Sequence, residues 1–98
     1  MAEITVTAGP WRGGDATFQV EVRDGAITTS HTVTLPPRLA ADLGWTDERA
    51  VELIEASFEF LLEREPATSV LRRFRLDVIG DYFPDYADEM ARRARTRA

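Results

Sequence analysis

The chain has 98 residues, 44% of them hydrophobic, and a net charge of −5, enough for one domain burying somewhat more than ~60% of its unfolded surface. It has no cysteine, which excludes a disulfide framework and a thiolate metal site, and its acidic balance disfavours general binding to nucleic acid, where phosphate neutralisation supplies most non-specific affinity. No stretch approaches the ~18 apolar residues of a membrane span, and the start Met1-Ala2-Glu3-Ile4 lacks the parts of a signal peptide, so a soluble cytoplasmic protein is expected.

Glu3 to Thr7 alternates with Ile4 and Val6 on one side, the pattern of a short strand. Ala8 to Gly14, with three glycines and a proline, reads as a loop. A second strand is predicted over about 16–23, with Phe18, Val20 and Val22 facing one way. Asp24-Gly25 favours a two-residue type I′ turn into a third strand over 26–35. If those two residues are the whole turn, Val22 faces Ile27, Val20 faces Thr29 and Phe18 faces His31, so both strands share one apolar face. The opposite face of the third strand, Thr28, Ser30, Thr32 and Thr34, is all hydroxyl.

Pro36 and Pro37 end that strand. Arg38 to Leu43 reads as a short helix with Pro37 near its first position and Gly44 just past its end. Thr46 then caps a predicted helix over 47–65, roughly 28 Å long, which Pro66 stops. Its residues Ala50, Val51, Leu53, Ile54, Ser57, Phe58, Phe60, Leu61 and Leu62 cover about 200° of the circumference, well over the ~100° stripe of a helix buried on one side. Short helices are predicted at 69–74, 78–83 and 85–95. Strands followed by helices in one domain, 1–98, make an α+β fold: a three-stranded antiparallel meander with the long helix on its apolar face and the C-terminal helices on that helix's other flank.

All twelve basic residues are arginine, which with the richness in Ala, Asp and Glu reads as the coding bias of a GC-rich bacterial genome. Residues 46–65 carry −5 and residues 66–98 carry +2. The negative charge is concentrated in Glu48, Glu52, Glu55, Glu59 and Glu63, which fall in one line along the long helix. Like charges at this spacing repel, so the line calls for solvent, a cationic partner or the protein's own arginines. A straight line of carboxylates does not converge on a point as a calcium or magnesium site requires.

Glu52, Glu55 and Glu59 are therefore candidate interaction residues, together with Trp11 in the glycine-rich loop and Tyr82 and Tyr86 in an aromatic cluster around Pro84. Phe83 in the same cluster is assigned to the core. Arg72, Arg73, Arg92, Arg93 and Arg95 are the candidate contacts of an alternative, a nucleic-acid-binding regulator of antitoxin type, although the helix spacing is poor for a helix-turn-helix. His31 is the single histidine and is read as structural. Ser30 and Ser57 lack a nucleophile elbow, so no catalytic, metal or cofactor site is assigned.

The run from Ala56-Ser57-Phe58-Glu59-Phe60-Leu61-Leu62 to Pro66, with Val70-Leu71-Arg72-Arg73-Phe74 and Val78 to Tyr86 after it, resembles a group of short bacterial proteins of unassigned function. The resemblance covers about a third of the chain and implies a bacterial origin, with no activity to carry over. The expected function is a non-enzymatic module that binds another protein or a second copy of itself.

Overall fold

A computed structural model describes residues 2–97. Strands β1 (Glu3–Arg12), β2 (Asp15–Asp24) and β3 (Ile27–Leu35) form the antiparallel meander, and β4 (Arg73–Arg75) joins β3 in parallel, giving the order β1-β2-β3-β4. The helices are α1 (Leu39–Asp42), α2 (Ala50–Leu62, entered through a 3-10 turn at Asp47–Arg49), α3 (Val78–Tyr82) and α4 (Tyr86–Thr96). The fold is α+β, with α2 on the inner face of the sheet and α4 packed against α2.

Three local expectations are corrected. The loop predicted over 8–14 is largely strand, because β1 continues to Arg12 through an irregularity between Ala8 and Trp11. An edge strand tolerates Pro10 there, since an outward-facing position needs no ladder donor. Gly13 and Gly14 then close the first hairpin, both with positive φ (61° and 89°), which is the requirement of a type I′ turn.

The second hairpin is shifted by two residues from the predicted pairing. Asp24 opposes Ile27, Val22 opposes Thr29, Val20 opposes His31 and Phe18 opposes Val33. Its turn is Gly25-Ala26, and of the two only Gly25 has positive φ, 64°, as a type II′ turn needs. A shift of two leaves every side chain on its predicted face. It does carry Ile27 past the end of the core, where it is 54% exposed.

The helix predicted at 69–74 does not form. Ala67–Ser69 is a single 3-10 turn, Val70 is extended (φ −75°, ψ 135°), and β4 follows. Phe74 and Leu76 are buried while Arg73 and Arg75 are exposed, so the segment alternates as a strand does. Pairing with the open edge of β3 overrides the local helical spacing.

Helix ends also depart from expectation: the helix predicted over 47–65 is α-helical only from Ala50 to Leu62, with a 3-10 turn before it and a turn over 63–65 after it. Thr46 has the extended backbone of an N-cap (φ −120°, ψ 162°) but makes no side-chain cap bond. α1 starts one residue late, at Leu39, because Arg38 sits in the left-handed region at φ 71°, a conformation that costs a non-glycine residue about 1–2 kcal/mol.

The core is built on both sides of α2. Leu53, Ile54, Phe58 and Phe60 are fully buried with Phe18, Val20, Val22, Val33 and Leu35 from the sheet and Met90 from α4. Phe58 contacts His31 and Phe74 with ring centroids 5.3 and 6.1 Å away, while Phe60 meets Phe83 and Tyr86 edge-on at 5.8 and 5.4 Å. Successive aromatic positions thus tie α2 to the sheet and to the C-terminal helices.

The Ser57, Tyr86 and Trp45 polar groups enter this core with partners. The Ser57 hydroxyl donates to the Leu53 carbonyl at 2.8 Å. Its one proton is thereby used, so Tyr86 donates to Ser57 Oγ at 2.7 Å. Trp45 Nε1 donates to the Met90 carbonyl at 2.9 Å.

Burial raises the Tyr86 phenol well above its ordinary value of 10.0, more than the bond to Ser57 lowers it. A raised folded-state value adds stability that is fully present below the unfolded pKa and is lost as pH rises above it. Stability is therefore expected to fall once pH passes about 10. In an ultraviolet phenolate titration Tyr86 ionises only with unfolding. Two phenolates appearing with tertiary structure intact would contradict this.

Candidate functional site

Three carboxylates of the glutamate line, Glu52, Glu59 and Glu63, meet arginines of the same chain. Arg93 reaches across from α4, donating to Glu63 at 3.0 Å and to Glu89 at 3.0 Å, and lies 3.6 Å from Glu59. Arg97 is 3.7 Å from Glu59, and Arg49 is 3.7 Å from Glu52. Arg92 also binds Glu89. Glu55, half-buried, has no ion pair among the described residues.

Hydrogen bonds from Arg92 and then Arg93 hold the Glu89 carboxyl below its usual range. Partial burial works to lower the Arg93 pKa, but the bonds to Glu89 and Glu63 outweigh it and raise the value. Arg93 stays charged, and the cluster is a clasp between α2 and α4.

The two tyrosines of the predicted cluster separate. Tyr86 is a core residue bound to Ser57, because it opens α4 at the point where that helix crosses Phe60. It is thereby removed from the surface. Tyr82 ends α3 and is 68% exposed. Phe83 is half-buried against Phe60. Trp11 is 50% exposed near the far end of β1.

The arginines of the nucleic-acid alternative also separate. Arg73 opposes Thr32 and, like it, faces away from buried Phe74 and Val33, on the outer face of the sheet. Arg92, Arg93 and Arg95 ride on α4, which is attached to α2 on the inner side. Arg92 and Arg93 are engaged by carboxylates. Arg72 and Arg95 are exposed.

His31 is buried and bonded at both ring nitrogens. Nδ1 lies 2.8 Å from the Leu71 carbonyl and Nε2 2.9 Å from Thr29 Oγ1. A carbonyl only accepts, so Nδ1 carries the proton and pins the Leu71 peptide to β3. Among the described residues no group of three His, Asp or Glu is arranged to hold a metal ion. No described helix is long and apolar enough to cross a membrane.

One concave apolar surface stands out. A groove of about 260 Å³ lies between the C-terminal end of α2 and α3, with Leu61, Val70, Phe74, Ile79 and Phe83 in its lining. It exists because Pro66 ends the α2 region and α3 runs only from Val78 to Tyr82, too short to cover that end. Leu71 and Tyr82 flank the groove and are 50% and 68% exposed.

Sequence reasoning did not find Leu71, since at helical spacing it shares a side with Val70 and Phe74. The signal was present in Arg73-Phe74-Arg75-Leu76, whose strict alternation marks a strand and sends Leu71 outward when Val70 points in. No protein-family model, curated protein or solved structure matches the chain.

Replacing Arg93 with Ala removes the cation that Glu59, Glu63 and Glu89 share, leaving them only Arg97, Arg64 and Arg92 respectively, and strips a packed guanidinium from the α2–α4 contact. Urea unfolding is expected to show a loss of about 1–3 kcal/mol, partly recovered in high salt, which screens the remaining repulsion between the carboxylates. A loss under about 0.3 kcal/mol would return the cluster to the class of ordinary surface pairs.

Proposed function

We propose that the chain is a small cytoplasmic interaction module, without catalysis of its own, that binds another protein or a second copy of itself through the groove between α2 and α3. What carries this reading is the pair Leu71 and Tyr82: two large apolar side chains left exposed on either side of an apolar groove. Concave apolar surfaces flanked by an aromatic residue are where partner side chains are captured and desolvated. The polar fringe is supplied by Glu65 and Ser69, which is the usual composition of an interface edge.

The nucleic-acid reading draws less support. Of its five arginines, Arg92 and Arg93 are committed to carboxylates, and the others are divided between the sheet and α4. A dispersed set of cations on a chain of net charge −5 gives little of the phosphate neutralisation that such binding needs.

A Leu71→Ser, Tyr82→Ser double variant tests the groove, since both positions are exposed and the core should tolerate the change. Affinity capture from lysate and light scattering are run on both proteins. Partners retained by the wild type, or a wild-type dimer, should weaken by at least about tenfold in the variant. Equal retention and equal oligomeric state in the two proteins would eliminate the groove as the contact surface.

A further inference from the structure

β3 is longer than the strand that covers it. β4 pairs only with Thr32, Val33 and Thr34, and the contact is bounded by Thr32 N–H donating to the Arg72 carbonyl at 2.7 Å and Leu76 N–H donating to the Thr34 carbonyl at 2.9 Å. Thr32 and Thr34 thus turn their backbone groups toward this edge. The pairing of β3 with β2 is unbroken from Ile27 to Leu35, so strand alternation presents the N–H and C=O of Thr28 and Ser30 to the same side. No backbone group among the described residues meets them.

The chain that would continue the line of β4 toward Ser30 leaves it at Leu71. His31 holds the Leu71 carbonyl at 2.8 Å, and Val70 returns to the core. What remains beside the free edge is a slot of about 360 Å³, lined by Thr28, Ser30, His31, Thr68 and Arg72 among others.

We propose that the free edge of β3 at Thr28 and Ser30 is a docking site for an extended peptide segment that carries a carboxylate to Arg72. The unpaired backbone groups select an extended chain, because only a strand offers donors and acceptors at their spacing. Charge selects the acidic side chain: Arg72 is exposed and has no ion pair among the described residues, and no carboxylate lines the slot in a chain of net charge −5. The exposed Ile27 at the start of the edge adds an apolar contact.

The two edges of the sheet differ in a way that fits this role. The β1 edge carries Pro10 and an irregularity between Ala8 and Trp11, devices that block strand addition. The free stretch of β3 has neither. This surface shares Val70 with the apolar groove but opens beside β3 instead of beside α3, and it stands or falls independently of the groove.

The test titrates the isotope-labelled full chain with acetyl-Thr-Val-Glu-Val-Thr-amide and with its lysine counterpart, following amide shifts and hydrogen exchange. The Thr28 and Ser30 amides should exchange about tenfold more slowly in the glutamate complex, and that peptide should bind about fivefold more tightly than the lysine one. Arg72→Glu should reverse the preference while leaving the fold unchanged. Ser30→Pro, which removes an outward N–H that β2 does not use, should abolish binding by both peptides.

Unaltered exchange at Thr28 and Ser30, or no charge preference, would overturn the proposal. So would protection that appears without peptide and grows with protein concentration, which would assign the edge to a second copy. Shifts confined to Leu71 and Tyr82 would place the peptide in the groove, leaving the interaction reading standing and removing this one.

Discussion

A helix that is apolar over about 200° cannot be satisfied by a sheet alone, and the rest of this molecule follows from that constraint on α2. One side buries Leu53 and Phe58 with the strands, and the other buries Phe60 with Phe83 and Tyr86. Three strands supply the first cover. The second has to come from the chain after Pro66, so α4 and the short α3 are held by the same burial that stabilises α2. Removing a large buried side chain here costs about 3–5 kcal/mol for phenylalanine, far above any surface pair, so apolar coverage of α2 dominates the energetics.

Burial alone does not set how α4 crosses α2, because apolar contact has no direction. Direction comes from a few polar bonds inside the seam. Tyr86 to Ser57 fixes the start of α4, Trp45 to the Met90 carbonyl fixes its middle, and Arg93 among Glu59, Glu63 and Glu89 fixes its last turns. Each would be costly if left unpaired, which penalises every alternative crossing. The glutamate line, unfavourable by itself, belongs to this set: it is tolerated because α4 brings arginine to it.

The fold class, the strands β2 and β3 and the presence of a long helix at α2 were legible because each rests on a local periodicity, whereas the ends of that helix, predicted at 47 and 65, fall at Ala50 and Leu62. Val20 and Val22 against Thr17 and Gln19 declare a strand whatever the rest of the chain does. The parts that were not legible depend on pairing at a distance. β4 is a strand because β3 offers it an edge, and the local spacing of Val70, Leu71 and Phe74 points to a helix instead. Tyr82 and Tyr86, four residues apart, look equivalent in sequence and are separated only by where Pro84 breaks the chain. The two-residue shift of the second hairpin escaped for a related reason, since facial alternation is unchanged by an even shift.

The same two facts explain why the candidate surfaces gather around residues 67–72. Where α4 is long enough to match α2, the surface is closed by ion pairs. Where β4 and α3 are short, the end of α2 and the start of β3 are left uncovered. Between them runs an extended segment whose residues must alternate in direction. Val70 goes inward, Leu71 flanks the apolar groove, and Arg72 lines the polar slot. Two neighbouring residues therefore serve surfaces of opposite chemistry, and the His31 bond to the Leu71 carbonyl holds both in place. A helix over these residues would have covered the groove and left the slot without its cation, so the departure from helix at 69–74 is what gives this face its character.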